Sequence, residues 1–186
     1  MEENNACNWG FKCQEEIEYH NNRWCKPVHD DNELFAMLCL EGQQAGLSWS
    51  LIVKREKAIR QAYDNFIPEI NARYDEDKIL ELKNNPQVIR NGRKIQSVIT
   101  NAQEFLKVQQ EYGSFDKYIW GFTGGETIVN HPEKMSGVPV STELSEKVSH
   151  DLKKRGFKFV GEVIIYSYLQ AIGIVNDHLD GCPYKY

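Results

Sequence analysis

Apolar residues recur at helical spacing through most of this chain. The clearest run begins at Gly92 and carries Ile95, Val98, Ile99, Ala102, Phe105 and Leu106 to about Gln110, which predicts a long amphipathic helix. Leu34, Phe35 and Leu38, preceded by Asp30 and Asp31 as candidate caps, predict a second from Asp31 to about Gln44. Gly46 ends that helix, and Ser48 opens another that carries Leu51, Ile52, Ala58, Ile59 and Ala62 to about Tyr63. Shorter helices are predicted after Pro68, over 77–83 behind the cap Asp75, and over 115–120. Thr123 to Pro139 holds three glycines and two prolines with weak periodicity, and reads as a long surface loop. Ser141 or Thr142 then caps a helix with Leu144, Val148 and Leu152 on one face, a bend spans Gly156 to Gly161, and a last helix runs through Ile164, Ile165, Tyr168 and Leu169 to Gly173. The expected class is all-α.

Met1 to His29 breaks this rhythm. It has little periodicity but holds Trp9, Trp24, three cysteines and two histidines, so something must tie it to the core. Cys7, Cys13, His20, Cys25 and His29 are candidate soft-metal ligands, although their spacings match no short zinc-finger signature. Near the other end, His178 and Cys182 form a workable ligand pair on a turn. Paired with Cys7 and His20 they would make a tetrahedral set pinning both termini, and Cys13 or Cys25 fits the same scheme by spacing alone.

Composition narrows the field. A chain of 186 residues suits one domain or two small packed lobes and needs no covalent staples to build a core. Five cysteines are an odd count, against a complete disulfide framework. A net charge of −5 argues against a general polybasic coat, but leaves local basic faces at Lys54, Arg55, Lys57 and Arg60, at Arg90, Arg93 and Lys94, and at Lys153, Lys154, Arg155 and Lys158. No apolar run is long enough to cross a membrane, and the acidic, polar start does not resemble a secretory signal, so a soluble cytoplasmic protein is expected.

Two stretches carry candidate chemistry. Glu41 follows the apolar face of its helix, just before Gly46 and Trp49, which places a carboxylate at the inner edge of a helical corner near a cleft. Gly156 and Gly161 flank a short apolar turn, which can leave backbone N–H groups free for a phosphate at a helix start. The same turn also suits a tight helix-to-helix connection with Phe157 and Val160 buried.

Taken in order, Tyr19-His20, Leu40-Glu-Gly-Gln-Gln-Ala-Gly-Leu-Ser-Trp49, Ile89-Arg90 with Lys94-Ile95, Leu152-Lys-Lys-Arg-Gly-Phe-Lys-Phe-Val-Gly161, and Asn176-Asp-His178 with Cys182 resemble the DNA-3-methyladenine glycosylase I (Tag) family over essentially the whole chain. The resemblance implies a helix-hairpin-helix DNA glycosylase fold in one unit over 1–186 of closely packed helical lobes. In it a zinc site joins an N-terminal segment 1–30 to a C-terminal segment 173–186, and a hairpin region spans 144–172. It implies a monofunctional hydrolase without lyase activity that flips 3-methyladenine out of alkylated double-stranded DNA and releases the free base. It further implies one structural Zn2+ on Cys7, His20, His178 and Cys182, and a base pocket of Tyr19, Glu41 and Trp49, with Glu41 the candidate catalytic group. Gly46 and Leu47 would meet the opened duplex, Lys154, Arg155, Gly156 and Gly161 would contact DNA, and the protein would act as a monomer away from membranes. One segment departs from the pattern. The family follows Tyr-His with Asp, one further residue, and Glu-Trp-Gly, whereas this chain has Asn21, Asn22, Arg23, Trp24 and Cys25. Two acidic positions are lost and one becomes cationic, which makes Arg23 a candidate phosphate contact.

Overall fold

The computed structural model describes residues 7–186. Its helices begin where a side chain can accept a hydrogen bond from a backbone N–H that the helix itself leaves unpaired. Asp30 caps α2 (Asp31–Gln44), Ser48 caps α3 (Trp49–Ala62), and Asp75 caps α5 (Glu76–Asn84), each accepting from the N–H three residues on. Between the last two, α4 (Pro68–Asn71) starts on a proline whose missing N–H costs nothing there. Asn91 opens α6 (Gly92–Tyr112), Ser114 opens α7 (Phe115–Trp120), and Thr142 with Ser145 forms a capping box on α8 (Glu143–Arg155). The final helix, α9 (Glu162–Ala171), has Gly161 at its cap position and no side-chain cap. Asp31, the alternative cap for α2, instead accepts from the backbone N–H groups of Phe115 and Asp116 at 2.8 Å and from Gln109 at 2.7 Å, so it docks the start of α7.

The core is built around α2, in which every residue from Leu34 to Gln43 is buried. A helix covered on all sides needs apolar residues on all sides, which is why its pattern extends beyond one stripe. Helices α3, α6, α7 and α9 surround it. Glu41 is thereby carried inside the protein on a scaffold with little freedom to move.

Two elements depart from the sequence expectation. The first is α1 (Gln14–Asn22), in a stretch without apolar periodicity; the residues it buries are Glu16, Tyr19 and His20. Glu16 accepts from the Lys12 N–H at 3.0 Å and from the Ser50 hydroxyl at 2.5 Å, which ties α1 to the first turn of α3. The second lies within the expected loop. There β1 (Ile128–Val129) pairs in parallel with β2 (Val175–Asn176), and Asn130 continues the contact through its N–H to the Asn176 carbonyl at 3.0 Å. Strands of two residues carry no alternation to read.

The C-terminal tail returns beside the N-terminal segment at a very close approach. Gly173 has φ +77°, and a Cβ there would lie 2.3 Å from the Lys26 carbonyl carbon and 2.4 Å from the Pro27 nitrogen. Only glycine fits on both counts. The backbones are stitched on either side, by Cys25 N–H to the Gln170 carbonyl at 2.9 Å and Val28 N–H to the Ile172 carbonyl at 3.0 Å.

Candidate active site and metal centre

α1, α2, the start of α3, the segment 135–140 and α9 enclose a cavity of about 350 Å³. One wall is aromatic: the Tyr19 ring lies 5.0 Å from that of Trp49 at 56°, and Trp9 stands edge-on to both Tyr19 and Trp24. α9 supplies the facing wall through Val163, Tyr166, Ser167 and Gln170, a single helical face at i, i+3, i+4 and i+7. Met135, Val138, Pro139 and Val140 complete the rim, with Val140 and Val163 largely exposed. The volume is within the range of small-molecule sites.

Glu41 lines this cavity and is only 3 % exposed. No hydrogen-bond donor among the described residues reaches its carboxylate, and burial pushes its pKa up from 4.5 to about 8. Tyr19 is held neutral well above its ordinary range, first by burial and then by the charge of Glu41. The cavity therefore keeps a protonated carboxyl at neutral pH. A cation placed against it would favour the ionised form, whereas a neutral ring would not. Trp49 adds a buried indole N–H with no partner among the described residues.

Next to α2 the chain turns sharply through Gly46, at φ +74°, and exposes Leu47. Leu47 is 38 % exposed, an apolar side chain held at a turn tip. The turn is braced from within by the Leu47 N–H to the Gln44 carbonyl at 2.7 Å, and by Lys94. The ammonium of Lys94 donates to the Gln43 and Ala45 carbonyls, both at 2.7 Å. A buried cation on the last carbonyls of α2 is favourable there.

Behind the aromatic wall lies a second cluster. Cys7, His20, His178 and Cys182 are all buried, and one ligand atom from each lies within 4.8 Å of the others. Cys7 Sγ is 3.8 Å from His178 Nδ1, Cys182 Sγ is 3.3 Å from the same nitrogen, and Cys182 Sγ is 3.7 Å from His20 Nε2. Donor atoms on a tetrahedral ion with bonds of about 2.0–2.3 Å are separated by roughly 3.3–3.8 Å, so the set fits such an ion. The outer ring nitrogens agree. His20 Nδ1 faces the Asn21 carbonyl oxygen at 2.7 Å and His178 Nε2 faces the Trp24 carbonyl at 3.3 Å, so each ring can donate outward and turn a lone pair inward. Burial lowers the pKa of His20 and, with the charge of His20, brings His178 down to about 4, leaving neutral imidazoles. Of the two thiols that spacing left open, Cys25 instead accepts from the Asp177 N–H at 3.4 Å, and Cys13 precedes α1; neither joins the cluster. Trp24 packs on both histidine rings, at 4.6 and 5.7 Å, so the cavity wall rests on the cluster.

Two expected DNA contacts are occupied otherwise. The Arg23 guanidinium donates to both oxygens of Glu56 at 2.8 and 2.9 Å and to Glu33 at 3.3 Å, with Arg60 closing the network. It covers the outer face of Tyr19, 5.2 Å from the ring centroid, and is not among the residues lining the cavity. Arg155 donates to Asp151, Glu111 and the Tyr112 hydroxyl. Each guanidinium already has carboxylates matched to its donors, which a phosphate would have to displace: Glu56 and Glu33 at Arg23 and Asp151 at Arg155 are partly buried, whereas Glu111 at Arg155 is exposed. Lys154 remains exposed on the last turn of α8. In the bend between α8 and α9, Phe157 and Val160 are buried, and Asn101 clasps the backbone of Lys158 from both sides, accepting at 2.7 Å and donating at 3.0 Å. That is the tight-connection reading. α9 starts at Gly161 without a side-chain cap.

A methyladenine glycosylase family profile matches residues 9–186. The chain is 41 % identical to DNA-3-methyladenine glycosylase 1 of Escherichia coli (strain K12) over 176 residues, covering 95 % of this chain and 94 % of that protein. It is 38 % identical to the DNA-3-methyladenine glycosylase of Haemophilus influenzae over 179 residues, covering 96 % and 97 %. Its fold superposes on a solved structure of 3-methyladenine DNA glycosylase I (TAG) from Staphylococcus aureus with a TM-score of 0.94 at 36 % identity, over 98 % of this chain and 97 % of that one.

Proposed function

We infer the function from one premise: the chain belongs to the methyladenine glycosylase family. It is a monofunctional DNA-3-methyladenine glycosylase, a hydrolase of base excision repair that adopts the helix-hairpin-helix glycosylase fold. One observation carries the assignment to this cavity: a buried carboxylate without a hydrogen-bond donor, at an aromatic wall of a space large enough for a base.

A base inside a duplex must leave the stack before its glycosidic bond can be reached. We assign Tyr19 and Trp49 to stacking on the extruded base and Glu41 to its edge. Methylation at N3 makes the base cationic, so when the bond to the sugar breaks the electron pair neutralises the departing purine. Water supplies the hydroxyl at the sugar and its other proton passes to solvent, leaving an abasic site. Glu41 ionises readily only beside that positive charge. At neutral pH, about one pH unit below its pKa, the ionisation costs on the order of 1 kcal/mol, which unmodified adenine does not offset. Glu41 therefore selects the lesion and steadies the positive charge on the sugar in the transition state.

The finer assignments belong to the same proposal. Gly46 and Leu47 fill the gap left in the alkylated duplex, and Lys154, Gly156 and Gly161 meet phosphates at the hairpin. The ion on the four-ligand cluster is one structural Zn2+, for which thiolate and imidazole donors are suited. Four protein ligands leave it no open position, and its part is to pin the N-terminal segment 1–30, of which residues 1–6 lie outside the described residues, and segment 173–186 into one unit with the hairpin region 144–172. The protein acts as a monomer on intracellular DNA, and none of its helices, among the described residues, is long and apolar enough to cross a membrane.

The deciding experiment is chromatography of the bases released from methylated duplex DNA. Free 3-methyladenine without strand cleavage is expected; no release by the folded, metal-loaded protein would overturn the assignment.

A further inference from the structure

The α9 wall of the cavity has a feature that base stacking and the Glu41 charge do not use. Gln170, 9 % exposed and lining the cavity, donates its amide nitrogen to Asp177 Oδ2 at 2.7 Å. The Tyr166 hydroxyl donates to the same oxygen at 2.6 Å, and Asn130 donates to Oδ1 at 2.7 Å. The backbone N–H of Asp177 is held by Cys25 Sγ. A carboxylate accepts and cannot donate, so its position fixes which end of the Gln170 amide faces it. The nitrogen must point to Asp177, which leaves the carbonyl oxygen as the free end. That oxygen has no donor among the described residues and is not sealed from the cavity.

We propose that Gln170, oriented by Asp177, is a specificity-determining residue whose carbonyl oxygen accepts a hydrogen bond from the exocyclic 6-amino group of the bound purine. The proposal rests on the glycosylase reading and deepens it by saying how adenine is told from 6-oxo purines. An acceptor fixed on the wall favours an amine and opposes a carbonyl oxygen, because two acceptors leave both lone pairs unpaired in a desolvated site. Glu41 reads charge, which methylated adenine and methylated guanine in DNA share; Gln170 reads the substituent that differs. Asp177 is a positioning residue here, acting through the amide.

The test uses the zinc-loaded full chain and two free bases as inhibitors of base release: 3-methyladenine and 3-methylpurine, which lacks only the amine. Wild type is expected to bind 3-methyladenine about tenfold more tightly, the value of one hydrogen bond made in a dry site. In Gln170→Met that ratio should drop below half its wild-type value, while thermal unfolding shows a folded protein. A ratio that keeps half or more of the wild-type value overturns the proposal. Loosened packing would weaken both bases alike and leave the ratio unmoved. Should Gln170→Met not fold, Gln170→Ala carries the same measurement. Failure of the glycosylase reading would look different, since wild type would then release no 3-methyladenine at all.

Discussion

Replacing Glu41 by glutamine separates what this residue costs the fold from what it does for the reaction. The amide keeps the shape and cannot ionise. In the folded protein the Glu41 carboxyl titrates at about 8, against 4.5 for an unperturbed glutamate. The pKa is raised on folding, so the contribution to stability is fully present below pH 4.5, where both states are protonated. It is lost as pH rises through about 8, where the folded state must give up its proton in a site that solvates the charge poorly. At pH 7 the unfolded chain has ionised and the native protein mostly has not, which costs on the order of 3 kcal/mol; above pH 9 the cost levels off at roughly 5 kcal/mol. Almost complete burial means solvent screening takes little from these figures.

Glu41→Gln should therefore match wild type in stability near pH 4 and exceed it increasingly from pH 5 to 9. The difference at pH 7 amounts to several degrees in Tm for a domain of this size. Denaturant unfolding at pH 4, 7 and 9 measures it. Release of 3-methyladenine by the same variant should fall by at least tenfold, because the amide offers the cationic purine no charge. Parallel stability curves for the two proteins across this range would refute the claim that an unpaired, desolvated carboxyl stands in the cavity. The fold would then be solvating Glu41 in a way the geometry does not show.

Other outcomes follow from the same structure. The kcat/KM for base release should rise with pH as Glu41 ionises and flatten above about 8, and a pH–rate profile of Glu41→Gln should lack that limb. Cys182→Ser, or chelation of wild type, should lower the metal content found by elemental analysis and reduce stability, and base release should fail with it because Trp24 packs on both histidines; a metal-free protein of equal stability would contradict this. Gly173→Ala should destabilise by about 3 kcal/mol or more in denaturant unfolding, since the new Cβ meets backbone that cannot rotate away. Arg23→Ala should cost about 1–3 kcal/mol by leaving Glu56 short of a partner, while the slope of log Kd against log salt for DNA stays at its wild-type value; a slope lower by about one would return Arg23 to the phosphates.

The helices that pack by an apolar face were legible, along with their caps, because capping and periodicity are local properties. α1 was not, since it packs through Glu16, Tyr19 and His20, whose partners Ser50, Trp49 and Cys182 lie far along the chain. Glu41 could be placed at the inner end of a helix, but not the absence of a donor around it, which depends on every element that surrounds α2. The face Val163, Tyr166, Ser167 and Gln170 was visible in principle as a second stripe on α9, opposite Ile165 and Leu169. Its meaning required Asp177, which lies beyond the helix in the returning tail.

Arg23 shows how a change of charge beside a site can leave the site intact. In the family pattern its position is acidic, and an arginine next to Tyr19 could be expected to draw the cavity toward positive potential and oppose a cationic base. The side chain instead runs over the outer face of Tyr19, where Glu56 and Glu33 meet its donors at 2.8 to 3.3 Å. Those carboxylates also serve Arg60, and together the four groups are neutral in sum. The Tyr19 ring, packed on Trp49 within the cavity, stands between this network and Glu41. Asn21 is compensated more simply: its carbonyl oxygen gives His20 Nδ1 an acceptor, which is what orienting the ring requires, although without the charge of an aspartate. The expected cost is a weaker hold on the metal, and Asn21→Asp should raise metal affinity in a competition titration while leaving the discrimination between 3-methyladenine and 3-methylpurine unchanged.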